Sequence, residues 1–166
     1  MNKDPYAWIA FRQRYEKADD RSCAILFGSY LESLTIDALI EACKHPDILD
    51  KKLISGNGPL SSFSARIDLL MAFGFISEEV YKDLHLVRRI RNRFAHELEL
   101  DRFDEDPIRS WCNELTLPRL RSSTKTYRTL QNDPRALFIV SAALCDGELR
   151  RISHNKTIQP SAEGGG

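Results

Sequence analysis

One stretch constrains this chain more than any other: Ser77 to Leu98, reading SEEVYKDLHLVRRIRNRFAHEL. No Gly or Pro interrupts it, so it supports about six turns of continuous helix. Ser77 is placed to cap the first turn, and Glu78 and Glu79 lie where the helix dipole favours negative charge. At about 100° per residue, Val80, Leu84, Val87, Phe94 and Leu98 share one narrow stripe. A stripe of that length must be covered by other helices, so the helix is expected at the heart of a bundle. Arg91 falls in the middle of the stripe. A guanidinium keeps its charge, so a buried one requires paired anions or carbonyls.

The rest of the chain reads as helices that supply the cover. Residues 5–18 form a short amphipathic helix with Trp8, Ile9 and Phe11 as packing groups. Asp19, Asp20 and Ser22 start a second helix over about residues 20–44. Its broad apolar coverage (Ile25, Leu26, Tyr30, Leu31, Leu34, Leu39, Ile40, Cys43) implies burial on more than one side. Gly28 and Ser29 allow another helix to come close, and Pro46 marks its end. Residues 47–59 read as loop. A third helix, 60–73, carries Phe63, Ile67, Leu70 and Met71, and Gly74 stops it. The short connection to Ser77 makes an antiparallel hairpin of this helix and the Ser77–Leu98 helix. Asp106-Pro107 starts a short helix, 107–115, with Trp111 and Leu115 inward. Residues 118–134 read as surface loop, and Pro134 to about Ile152 as a last helix. No strand-like alternation or internal repeat is visible. The expected fold is all-α: a single domain over residues 1–152, a bundle of about five to six helices, with a disordered tail at 153–166.

Charge and cysteine content narrow the function. Lys plus Arg and Asp plus Glu both count 24, so the formal net charge is zero and a strongly basic, phosphate-hugging protein is not expected. The four cysteines have no CxxC spacing and no signal peptide is visible, which together point to reduced thiols in the cytoplasm. No apolar run approaches the roughly 20 residues of a membrane span. His85 and His96 share a helix face but lie about 16 Å apart, and His45 and His154 stand alone, so no metal site is expected. No phosphate-binding glycine motif or nucleophile elbow occurs, and no cofactor is expected.

The chemistry that the sequence does offer is Arg91-Asn92-x-x-x-His96. Arg91 is suited to binding a scissile phosphate and stabilising the charge that develops on it. His96 is suited to general acid or base work on a ribose hydroxyl, and Asn92 to orienting either group. On a straight helix Arg91 and His96 point about 140° apart, so a shared site requires a bend or a second chain. The bland alternative is an arginine at the core edge and a histidine near a helix C-terminus. Arg88, Arg89 and Arg93, with His85 on the same helix, form a basic cluster suited to RNA or an acidic partner. They spread around the helix, and no helix-turn-helix pair is present, so direct binding to duplex DNA is not expected.

The run Gly56–His96, GNGPLSSFSARIDLLMAFGFISEEVYKDLHLVRRIRNRFAH, resembles the mannitol operon repressor (MltR) family. The shared order is a GPL turn, an arginine-containing amphipathic helix, a short Gly connection and a helix ending in Arg-x4-His. The second helix, beginning DRSCAILFGSYLESL, is similar to the family's upstream helix, so the resemblance covers about residues 19–117. It implies a regulator of sugar-operon expression working through protein or RNA contacts. The short motif RNRFAH also resembles that of HEPN-domain proteins. That resemblance implies a metal-independent endoribonuclease, a toxin or defence effector, with Arg91 and His96 catalytic, Asn92 supporting, and a homodimer completing the site. Three readings follow, in order: an MltR-like regulator, a HEPN-type ribonuclease, and a non-catalytic helical interaction module.

Overall fold

A computed structural model describes residues 7–155. Its elements are α1 (Ala7–Tyr15), α2 (Asp20–Ala42), α3 (Pro46–Ile48) leading into a π-helical turn (Leu49–Ile54), α4 (Phe63–Ala72), α5 (Glu78–His96), α6 (Ile108–Glu114), α7 (Leu117–Arg121), α8 (Thr124–Leu130) and α9 (Pro134–Asn155). No strand occurs among the described residues. The fold is all-α, with α1, α2, α4, α5 and α9 as the longer helices and the rest as one- or two-turn pieces between them.

The helix starts follow the local chemistry. The Asp19 side chain accepts from the Ser22 backbone N–H at 2.9 Å, Ser62 from Ala65 at 3.1 Å, and Ser77 from Val80 at 3.4 Å. Each satisfies one of the N–H groups that a first turn leaves without an intrahelical acceptor. Between α4 and α5, Gly74 takes a positive φ of 68°. That left-handed residue lets the Phe75 N–H return to the Leu70 carbonyl at 2.9 Å and closes α4 before α5 turns back along it.

At the centre lies α2, packed against α9, α5 and α4. It buries Cys23, Ala24, Phe27, Leu31, Leu34, Ala38 and Leu39 around its circumference. By length and composition α2 is apolar enough to cross a membrane, which corrects the expectation that no run is. In this fold that apolarity is spent on three neighbouring helices. On α5 the buried stripe is Val80, Leu84, Val87, Ile90 and Phe94. Leu98 is the exception, 86% exposed: the helix ends at His96 and Glu97 is already extended, so helical spacing no longer places it. Phe27, Phe138, Phe103 and Phe94 form a ring chain at centroid separations of 6.5, 5.1 and 5.1 Å, tying α2, α9, the α5–α6 connection and α5 together.

Two loop expectations need correction. Residues 47–59 hold α3 and the π-turn, with Leu49 and Ile54 buried; Pro46 ends α2 but also opens α3, because proline is well suited to a first helical turn. Residues 118–134 hold most of α7 and all of α8. Pro118 sits in the first turn of α7, and Ser123 caps α8 by accepting from Thr126 at 3.2 Å. Of the inward groups expected on α6, Leu115 is buried and Trp111 half-buried. The last helix runs to Asn155; the expected disordered tail beyond it falls outside the described residues.

Candidate functional site

The geometry around Arg91 begins with a glycine. A Cβ on Gly28 of α2 would lie 2.6 Å from the Arg91 Cβ and 2.7 Å from its Cγ, so the arginine stem occupies the space that glycine leaves. One turn further along α2, the Arg91 guanidinium donates to the Glu32 carboxylate. The other Glu32 oxygen accepts from Arg66 of α4 at 3.0 Å. Arg66 is only 2% exposed. Its remaining N–H groups reach the Leu60 carbonyl at 2.9 Å, the Ser61 carbonyl at 2.7 Å and the Thr35 hydroxyl at 3.2 Å. One carboxylate therefore serves two guanidinium groups and joins α2, α4 and α5, while Arg66 also fastens the turn at Pro59-Leu60 to α2. Sequence reasoning singled out Arg91 but not Arg66 or Glu32; their separation along the chain hides them.

His96 is exposed and its side chain makes no hydrogen bond or ion pair among the described residues. Asn92 is half-buried and likewise makes no side-chain hydrogen bond among them. Because α5 continues through His96 without a break, Arg91 turns to Glu32 while His96 faces outward. The structure brings Arg91 to Glu32 and does not bring it to His96. The end of α5 is fastened by Arg21 of α2, which donates to the carbonyls of Phe94, Glu97 (2.8 Å), Leu98 (2.8 Å) and Leu100 (2.7 Å). The Phe94 carbonyl is one that a helix C-terminus leaves open, the other three lie in the chain just beyond the helix, and a cation suits the negative end of the helix dipole.

The other basic residues of α5 fare differently from one another. Arg93 pairs with Glu97 one turn on. Arg89 is exposed, with its guanidinium carbon 3.9 Å from the centroid of the Trp111 ring on α6. Arg88 has no ion pair among the described residues, and its Nε is buried without an acceptor. His85 Nε2 lies 3.1 Å from Asp68 Oδ1, which also accepts from the Tyr81 hydroxyl at 3.0 Å. Beside it runs an open groove of about 430 Å³ lined by Tyr81, Lys82, His85, Leu86, Glu114 and Thr116.

A further acidic group escaped sequence reasoning. Asp83 is fully buried on α5. It accepts from the backbone N–H groups of Thr116 (2.7 Å) and Leu117 (3.0 Å) and from the Ser141 hydroxyl (2.8 Å). It thereby caps α7 from another helix and ties in α9. Burial holds its carboxyl above the ordinary carboxylate range, with those three donors pulling it back. Among the described residues, no three His, Cys, Asp or Glu side chains are grouped to hold a metal. Burial pushes the Cys23 thiol up to about 11, and those of Cys112 and Cys145 are raised too, which disfavours the nucleophilic thiolate at all three.

The mannitol repressor family matches residues 49–151, from the π-turn to the penultimate turn of α9. The match starts later and ends later than the resemblance read from the sequence. Among curated proteins none matches. Among solved structures, the X-ray structure of the MtlR–HPr complex from Escherichia coli aligns with a TM-score of 0.58 and 21% identity, covering 87% of this chain and 99% of that one. At that identity the likeness speaks for the fold. The family match itself spans more than half of the chain and takes in Arg66, Asp83 and the whole of α5, so the chain belongs to the mannitol repressor family.

Proposed function

We propose that this chain is a regulator of gene expression of the mannitol repressor type, acting by holding a protein partner rather than by reading duplex DNA itself. The observation that carries the reading is the family match over residues 49–151. A protein partner is supported by the related fold, which was solved as a complex of MtlR with HPr. The balanced charge of the chain supports it as well, since nucleic-acid binding draws chiefly on Lys and Arg in excess.

In this reading the motif Arg91-x4-His96 is architectural. Arg91 is committed to Glu32, and Glu32 to the buried Arg66, so the three side chains hold α5 in register with α2 and α4. Releasing Arg91 to a scissile phosphate would leave Arg66 as its only ion-pair partner's sole counterion and would still leave His96 on the far side of α5. The test is isothermal titration of the purified chain with HPr, beside gel shifts on duplex DNA. A saturable complex with HPr and weak, sequence-indifferent DNA binding are expected. Failure to bind HPr together with a tight, sequence-selective shift by the chain alone would overturn the proposal.

A further inference from the structure

The outer face of α5 carries two arginines with no ion pair among the described residues, beside the Asp68 carboxylate that meets His85 and Tyr81. At about 100° per residue His85, Asn92 and His96 run down the middle of that face, with Arg88 and Arg89 flanking it on either side. The neighbouring arginines of α5 have carboxylates: Arg91 has Glu32 and Arg93 has Glu97. Arg88 and Arg89 have none among the described residues. Around them, Glu32 is already shared with Arg66, so the five guanidinium groups of Arg66, Arg88, Arg89, Arg91 and Arg93 draw on two paired carboxylates, Glu32 and Glu97. Arg89 lies over the Trp111 ring at 3.9 Å. A guanidinium stacked in this way is oriented in advance while its edge N–H groups stay free for planar acceptors. Arg88 is half-buried, with its Nε lying without an acceptor. The groove on the same helix adds Leu86 and Tyr81 as apolar lining, with Lys82 and Glu114 as charged lining.

We infer that this face, centred on Arg88, Arg89 and Trp111, is a docking surface for an acidic segment of a protein partner. The inference rests on the proposed protein-binding function and names the surface and the chemistry that would serve it. Paired carboxylates match the two free guanidinium forks, and apolar side chains between them match Trp111 and Leu86. A nucleic-acid backbone fits less well, because the 24 basic and 24 acidic residues of the whole chain, Arg88 and Arg89 included, balance and give no net positive charge.

The test uses the full chain and a fluorescein-labelled peptide of Asp, Glu and Leu, followed by anisotropy, with labelled single-stranded RNA in parallel. Peptide binding that falls by about tenfold or more in R88E/R89E, and that weakens as salt is raised, is expected. Helical circular dichroism checks that the variant folds; R89Q, at an exposed position, carries the test with a smaller loss if it does not. No peptide binding, or equal binding by the variant, would overturn the inference. RNA binding with the same arginine dependence would overturn it in favour of nucleic acid. A wild-type dimer that the variant dissolves, seen by light scattering, would assign the face to a second copy instead. HPr titration of the same variant keeps the two proposals apart: HPr binding that survives while peptide binding is lost places HPr elsewhere and leaves this inference standing.

Discussion

Glu32→Ala is the most informative perturbation of the fold. It removes the carboxylate shared by Arg66 and Arg91, leaving Arg66, 2% exposed, with two carbonyls and a hydroxyl but no counter-charge. Breaking a fully buried pair costs about 3–5 kcal/mol, because the remaining charge stays desolvated. Two features reduce this: the Glu32 side chain is 30% exposed, and alanine improves helix propensity in α2 by about 0.4 kcal/mol. The expected loss is about 3 kcal/mol. With a urea dependence of about 2 kcal/mol per molar, the unfolding midpoint followed by circular dichroism should fall by about 1.5 M. Glu32→Gln keeps an acceptor oxygen and should lose about half as much. Raising the salt concentration should change either loss little, since Arg66 is shielded from screening ions. A midpoint shift below about 0.5 M at unchanged slope would refute the idea that this cluster couples α2, α4 and α5.

Three further outcomes follow from the same geometry. Gly28→Ala places a Cβ 2.6 Å from that of Arg91; overpacking of about 1–3 kcal/mol against a propensity gain of about 1 kcal/mol should give a net loss in a urea melt. Arg91→Ala should not relieve it, because alanine retains the clashing Cβ. For Asp83, a folded pKa raised above the ordinary 3.8 means that the folded chain holds the proton more tightly than the unfolded one. Its contribution is therefore fully present below that value and is lost as pH rises through the raised folded pKa. Comparing urea midpoints of the wild type and Asp83→Asn, acidification through that window should move the difference toward the wild type; an opposite trend would show that the donors outweigh burial. Finally, total RNA incubated with the chain in EDTA should stay intact on a gel. Cleavage abolished by both Arg91→Ala and His96→Ala would restore the ribonuclease reading.

The amino-acid sequence by itself determined the helices whose signals are local. Ser77 and Asp19 cap where a short polar side chain precedes an apolar period, and Gly74 turns where a left-handed residue is needed; Ser62, which caps α4, lies inside the span 60–73 read for that helix. The α5 stripe, the α4–α5 hairpin and the anomaly of Arg91 all follow from spacing within one or two turns. Short helices escaped because Pro46 and Pro118 look like breakers until their place in a first turn is known. Only the tertiary structure decided what the charged groups do. Arg21 reaches carbonyls more than seventy residues away, Asp83 caps a helix more than thirty residues on, and Glu32 bridges two arginines on separate helices. Periodicity reports which way a side chain points from its own helix, but not which neighbour stands there. Whether Arg91 meets a phosphate, a solvent ion or a carboxylate depends on which helix lies opposite it. Gly28 brings α2 close enough for that neighbour to be Glu32.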